Sequence, residues 1–401
     1  MNGRALSERA LIVLLAAITA SGPVSLSIYM PVVPLARAAF GVSVAAASTT
    51  VSAPLIAFAI GLFIYGPLSD HLGRRPVILA GLGIYLAGLL LALFAPTIGI
   101  LTLGRVIAAL GTSAGVTVAR AAMGDLYARE KMAHKLATLT MVMVTANSLA
   151  PMAGGALAEA FGWQAVFAAL LASGGCIALA AWRWLPETRR GGDDPGPRRI
   201  LTVTARLARQ PAFLGMALQS AVIYTIFFVF VAIVPYVFRN LGRSATEYGL
   251  WYLCISIGYF LGNWCVSRYT YRFGVQRMIG AGIAIQAVAA AAGLAFALAG
   301  LWAPIWLFLP WGFIGFAQGL ALPNLTASAV SLAPGNAGAA SGLLGFSQQI
   351  FGAIAVQLMA VASTATPLPV TSFVATCTAV SWVAYRLTRA GAPVSPARAS
   401  G

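Results

Sequence analysis

Twelve apolar stretches follow one another along the chain, at residues 10–36, 46–69, 76–96, 98–122, 135–158, 164–185, 211–237, 247–267, 277–300, 302–327, 337–362 and 368–388. A helix needs about 20 apolar residues to cross the hydrocarbon layer of a bilayer, and each stretch is of that order. Pro31, Pro54, Pro151, Pro235 and Pro323 fall inside them, which membrane helices tolerate because neighbouring groups re-satisfy the freed carbonyls. The pattern predicts an all-α integral membrane protein of twelve spans. The first stretch follows Arg4 and Arg9 as a secretory leader would, but its apolar character runs past Pro31 and further stretches follow, so it reads as a span and not as a cleaved leader.

The polar gaps orient the spans. With the N-terminus on the cytoplasmic side, 21 of the 25 Lys and Arg fall inside, Arg37, Arg239 and Arg243 fall outside, and Arg105 lies within a span. The positive-inside rule requires this asymmetry, and one span more or fewer would scramble it. Both termini are therefore expected in the cytoplasm. The longest gap, 187–210, is rich in Gly, Pro and charge and reads as a cytoplasmic linker. It divides the chain into two six-helix bundles, 1–186 and 211–401. The halves share a pattern: "FGVS" at Phe40 recurs as "LGRS" at Leu241, and Gly61, Gly73 and Gly81 recur as Gly262, Gly274 and Gly282, at a common offset of 201. A second register, offset by 204, brings Pro31 onto Pro235 and Gly111 and Gly115 onto Gly315 and Gly319. A duplicated six-span unit accounts for both, and the expected fold is a pair of pseudo-symmetric bundles with a substrate site between them.

Composition excludes several other classes. Hydrophobic residues make up 60% of the chain, charged ones 8%, and mean hydropathy is +0.87. The net charge of +16 sits in the gaps and not on a polar soluble face, which argues against nucleic acid and for loops beside anionic lipid. Cys176, Cys254, Cys265 and Cys377 lie in apolar runs with no ligand-like spacing, and neither His71 nor His134 has a partner at metal-binding distance in sequence, so no metal or disulfide is expected. No set of nucleophile, base and partner suggests an enzyme, and no phosphate-binding G-x-x-x-x-G-K-S/T loop suggests ATP-driven pumping.

The densest cluster of charge lies in "YGPLSDHLGRRPVIL", Tyr65 to Leu79, which the span pattern makes the loop between spans two and three. Gly66 allows close helix contact, Asp70 can face a helix N-terminus or pair with an arginine, Gly73 permits a tight turn, and Arg74 and Arg75 hold the loop inside by charge. The wording G-P-L-S-D-H-L-G-R-R resembles the loop 2–3 signature of the major facilitator superfamily. That resemblance implies a state-dependent lock between the halves, with Asp70 and Arg74 joined by Asp125 at the end of span four. The second-half counterpart, Gly262 to Arg277, has Ser267 in place of the second glycine and no acid, so a weaker clasp is expected there.

Further resemblances follow along the chain. "LTLGRVIAALGTSAG" is similar to the span-four motif whose buried arginine is linked to proton transfer, and Arg105 is its match. "ANSLAPMAGG" resembles the antiporter motif of span five, with Pro151, Gly154 and Gly155 in place and Ala150 where glycine is usual. "FGWQAVF" and "LPET" close span six as in drug exporters, and "SIYMPVVP" with "ARAAMGDLY" point to the bicyclomycin/chloramphenicol type of drug:proton antiporter. This implies a multi-pass protein of the bacterial inner membrane, working as a monomer without a cofactor, that exports small amphiphilic compounds by alternating access with protons as coupling ion.

Individual residues refine that expectation. A buried arginine costs at least about 2.5–3.5 kcal/mol and so usually faces a cavity, which favours a working role for Arg105. Pro151, Gly154 and Gly155 suit a hinge and seal by letting span five bend and pack closely. Relatives of the resembled type carry an aspartate in D-M-Y-L-P of span one, where this chain has Ser27. None of the nine acids falls at mid-span, and Asp125 and Glu159 are the candidates at span ends. Neutral or weakly anionic amphiphiles therefore fit better than lipophilic cations. The expected cavity residues are Ser27, Tyr29, Thr112, Gln219, Tyr224, Phe227, Phe228, Gln318 and Asn324, joined by Asn147 and Gln348. The competing expectations are a metabolite exporter or uncoupled facilitator of the same fold and, from another class, a membrane receptor that transports nothing.

Overall fold

The computed structural model describes residues 7–126, 129–189, 202, 204–333, 337–362 and 366–390, with side chains described throughout except at 129–138, 337 and 387–390. Most of the gap 187–210 therefore lies outside the described residues. So do Arg4 and Arg398, and the side chains of Arg129, Lys131, His134, Lys135 and Arg389.

Among the described residues twelve helices are long and apolar enough to cross a membrane: Glu8–Phe40, Val44–Leu72, Arg74–Leu93, Ile98–Leu126, Leu139–Phe161, Gln164–Trp184, Pro211–Asn240, Ala245–Phe273, Val275–Leu298, Pro304–Ser331, Gly338–Met359 and Leu368–Arg386. They are spans one to twelve, each matching one predicted stretch. Large apolar side chains such as Ile56, Ile60 and Ile64, one helical turn apart, stand on the surface. Stripes of this kind suit lipid, not water.

Local chemistry sets where the helices start and bend. Ser43 and Ser244 cap spans two and eight, their hydroxyls accepting from the N–H of Ala46 at 3.1 Å and Glu247 at 3.0 Å, so each satisfies one orphan donor of a first turn. Span one is not one continuous helix. It stops at Ser27, turns through a short 3-10 segment at Met30–Val32 and resumes at Val33. Pro31 has no N–H to offer the Ser27 carbonyl, and Pro34 follows within a turn. Pro235, the repeat-related proline, stays inside an unbroken helix.

The stretch Tyr65–Leu79, expected as a loop, is almost entirely helical. Span two runs to Leu72 and span three begins at Arg74, leaving Gly73 alone between them at φ +97° and ψ 158°. Gly274 does the same between spans eight and nine at φ +83° and ψ 150°. A Cβ is strained at such positive φ. Gly41 and Gly242, also 201 apart, share the left-handed region.

Packing carries the same symmetry. Span four lies against spans two and three as span ten lies against eight and nine, span one meets five as seven meets eleven, and the halves join where two meets eleven and five meets eight. These are two six-helix bundles related by a pseudo-twofold axis. In lipid no hydrophobic force holds helices together, so close packing of small residues does. A Cβ at Gly88, Gly104 or Gly111 would collide with backbone across the contact of spans three and four. The expected close approach at Gly66 is not there, since a Cβ would meet only Thr117 at 3.7 Å. Spans two and four instead touch one turn earlier, at Gly61 against Ser113.

Candidate functional site

At the Gly73 end of the bundle, four spans converge on one arginine. The Arg74 guanidinium donates from Nε to Asp125 at 2.9 Å, and from Nη1 to Ser69 at 2.7 Å and to Asp70. Its side chain is only 11% exposed, so these are charge-assisted bonds in a partly desolvated place. Arg75 donates to the Trp182 carbonyl at 2.7 Å. The carboxylate of Glu187, the acid of "LPET", lies on the start of span three and accepts from the N–H groups of Arg74 at 2.9 Å, Arg75 at 3.1 Å, Thr188 at 3.0 Å and Arg189 at 2.9 Å. Burial alone would raise its pKa. The four backbone donors outweigh burial and hold the carboxyl below the usual range. Asp70, Arg74, Asp125 and Glu187 thus tie spans two, three, four and six together within the first half.

At the other end the two halves touch directly. Glu159 accepts from the N–H of Thr246 at 3.1 Å and from its hydroxyl. An anion on the first turn of a helix meets the positive end of its dipole, and here the helix is span eight of the second half. The glycines of span five make the approach possible. A Cβ at Gly155 would strike the Ala245 carbonyl, one at Gly154 the Ile28 carbonyl at the break of span one, and one at Gly249 the backbone of Pro151 and Met152. Ser52 donates to Gln357 at 3.1 Å, Gln357 to the Ala45 carbonyl at 3.3 Å, and Arg239 to the Pro34 carbonyl. Among the described residues, the hydrogen bonds between the halves gather toward this end.

Between the ends lies a cavity of about 90 Å³ whose lining includes Ser27, Phe58, Arg105, Thr112, Asn147, Tyr224, Phe227, Phe228 and Gln349. Arg105 is 5% exposed, with its guanidinium carbon 3.8 Å above the centre of the Tyr29 ring. Thr50 donates to the Tyr29 hydroxyl at 3.2 Å and fixes that ring. Ser27, where the resembled proteins carry an acid, donates to Asn147 at 2.7 Å. Tyr224, Phe227 and Phe228 form a cluster of three rings with centroids 5.0–6.1 Å apart. No acid is found among the described lining residues.

The sequence profile described as Major Facilitator Superfamily matches residues 14–355. The chain belongs to that superfamily. It is 28% identical over 367 residues to "Multidrug resistance protein D" of Escherichia coli, covering 87% of this chain and 88% of the relative. It is 27% identical over 344 residues to "Bicyclomycin resistance protein homolog" of Haemophilus influenzae, covering 82% and 83%. To "Chloramphenicol resistance protein" of Pseudomonas aeruginosa it is 33% identical over 185 residues, which is 46% of this chain and 44% of that one. A solved bacterial homologue of the human lysosomal transporter Spinster, described as inward-facing and occupied, superposes with a TM-score of 0.77 at 18% identity, over 98% of this chain and 100% of that chain. That likeness shows the fold. The chain is a secondary transporter of the major facilitator fold, a membrane protein and not an enzyme.

Within this major facilitator protein, the cavity gathers some of the expected residues and leaves others out. Ser27, Thr112, Asn147, Tyr224, Phe227 and Phe228 line it. Tyr29 stands behind Arg105. Gln219 is buried off the wall with its amide nitrogen unpartnered. Gln318 and Asn324 of span ten are spent on carbonyls, of Ile223 at 3.0 Å and Leu320 at 2.9 Å. Gln348 donates to Ser220 at 2.6 Å, and its neighbour Gln349 faces the cavity instead. One residue turns a helix face by about 100°, enough to exchange the two glutamines. Span two contributes Pro54, Leu55 and Phe58, apolar positions that nothing in the sequence set apart from the rest of the span. Glu187 read as the first residue of a linker, and only its contact to a segment over 100 positions earlier reveals it as a cap.

Proposed function

We propose that this transporter exports small amphiphilic compounds across the bacterial inner membrane by alternating access, with both termini in the cytoplasm. The observation that carries this reading is the cavity between the halves, where mostly apolar and aromatic walls hold a minority of polar groups and a single formal charge among the described lining residues, a lining suited to broad recognition of amphiphiles. The similarity to proteins named for multidrug, bicyclomycin and chloramphenicol resistance supports the same class. In this reading Asp70, Arg74, Arg75 and Asp125, hinged at Gly73, are the movable lock of the cytoplasmic end. Pro151, Gly154, Gly155 and Glu159 seal the outer end, Arg105 links the cavity to proton influx, and the monomer is the working unit.

A second reading, an uncoupled facilitator or metabolite exporter of the same fold, is favoured by one observation. No carboxylate lines the cavity among the described residues, and a buried carboxylate is the usual group that binds proton and substrate in turn. Everted membrane vesicles with an imposed pH gradient decide between the two. Proton release on adding chloramphenicol-like neutral drugs, absent in Arg105→Ala, supports antiport. Substrate that moves down its own gradient without proton release supports the facilitator. No substrate movement at all overturns both.

A further inference from the structure

The cavity carries one formal charge among its described lining residues, and that charge has an unanswered atom. Arg105 is 5% exposed, yet its Nη1 is buried without a hydrogen-bond acceptor. The Tyr29 ring face offsets part of the charge, but a ring face offers no lone pair to hydrogens that lie in the guanidinium plane. Ser27 donates to Asn147 and Thr112 to the Ala109 carbonyl at 3.1 Å, and neither hydroxyl oxygen accepts from Nη1. Gln349 of span eleven, another lining residue, likewise has its Oε1 buried without a donor.

We infer that Arg105 is an anion-binding subsite and that the transported molecule is a small organic monoanion. Its carboxylate would accept from Arg105, its apolar or aromatic body would lie against Tyr224, Phe227 and Phe228, and Gln349 would meet a polar group from the facing half. The inference rests on the exporter reading and names its substrate class. A cation would meet a like charge in a low-dielectric space, which is unfavourable, whereas an anion supplies the counter-charge and the acceptor together. Because the charge and the rings come from different halves, one ligand touching both also links them.

Binding of three probes to the purified full-length protein tests this: naphthoate, its neutral amide, and the cation tetraphenylphosphonium. Naphthoate is expected to bind about tenfold or more tighter than naphthamide, the scale of a charge-assisted bond in a buried site. That preference should vanish in Arg105→Gln and be largely kept in Arg105→Lys, with thermal melting showing that both variants are folded. Equal affinity of acid and amide in the wild type, a comparison that needs no variant, overturns the inference. So does a preference that survives Arg105→Gln, no binding of any probe, or stabilisation by chloride in place of naphthoate. Counterflow in proteoliposomes separates this inference from the reading beneath it. Arg105-dependent naphthoate binding without counterflow keeps the anion site and removes export, while counterflow of tetraphenylphosphonium but not of naphthoate keeps export and removes the anion site.

Discussion

Glu159, at the end of span five, accepts hydrogen bonds from both the backbone N–H and the side-chain hydroxyl of Thr246, 87 residues later at the start of span eight. One carboxylate of the first half therefore caps a helix of the second. A transporter that alternates must break such a contact in each cycle, so the contact should set how long this end stays shut. Removing the acceptor with Glu159→Ala is expected to shift the population toward an opening at this end, and Glu159→Gln, which keeps a carbonyl oxygen but loses the charge, to shift it less. Spin labels at Phe161→Cys and Leu250→Cys in a background without the native cysteines read this as a longer-distance population. An unchanged distance distribution in Glu159→Ala would remove the seal from the account.

Glu187 acts at the other end by the same physics, but within one half. Its carboxyl is held below the usual range by the N–H groups of Arg74, Arg75, Thr188 and Arg189. A group whose folded pKa is depressed contributes stability that is fully present above its unfolded value, about 4.3 for Glu, and that is lost as pH falls through the folded value. The detergent-solubilised protein should therefore lose part of its melting temperature on acidification below about pH 4.5. Glu187→Gln should melt lower at neutral pH and lack that part of the acid dependence. Because the carboxylate is exposed and screened, the cap is worth about 0.5–1 kcal/mol. A Glu187→Gln profile parallel to wild type down to pH 3 would count against the cap.

The pairing of Arg74 with Asp125 invites a double-mutant cycle. Arg74→Ala leaves two carboxylates near one another, and Asp125→Ala leaves a largely buried guanidinium with Asp70 and Ser69. The single losses should not add. A coupling energy of about 1–2 kcal/mol is expected for charged groups sharing one network, read from denaturant titrations of the purified variants. Additive losses would mean that each residue acts through something other than the ion pair.

The helices were legible in the sequence because a bilayer imposes one length and one chemistry on every span. The duplication was legible because Gly73 and Gly274 must occupy the same unusual backbone region. The candidate site was only partly legible. Arg105 stood out because charge in an apolar run is costly, and the rings of span seven because aromatic faces with few fixed charges suit amphiphiles. Which of Gln348 and Gln349 faces the cavity depends on about 100° of helix rotation, which packing against span seven decides. Gly66 and Gly61 pose the same problem, since composition cannot say which glycine meets span four. Glu187 was hidden for another reason: a cap supplied from another span leaves no trace in local spacing.

Ser27 offers the sharpest test of how the cavity chooses its cargo. Its hydroxyl donates to Asn147 at 2.7 Å in the same cavity that Arg105 lines. Ser27→Asp would place a carboxylate where relatives of the resembled type carry one. An aspartate here has two ways to satisfy itself, by accepting from the Asn147 amide or by drawing in the unpartnered Nη1 of Arg105, and either way the net charge of the lining falls from +1 toward zero. A cavity that selected for anions should then lose that preference, because the protein now supplies the acceptor that the substrate brought. Lipophilic cations should gain, because the like-charge penalty is offset. The expected outcome is a drop of about tenfold in naphthoate affinity with a gain in tetraphenylphosphonium binding, measured on the same purified protein. If Ser27→Asp leaves both affinities unchanged, the charge of the lining is not what selects the cargo, and the shape of the aromatic wall would have to do so.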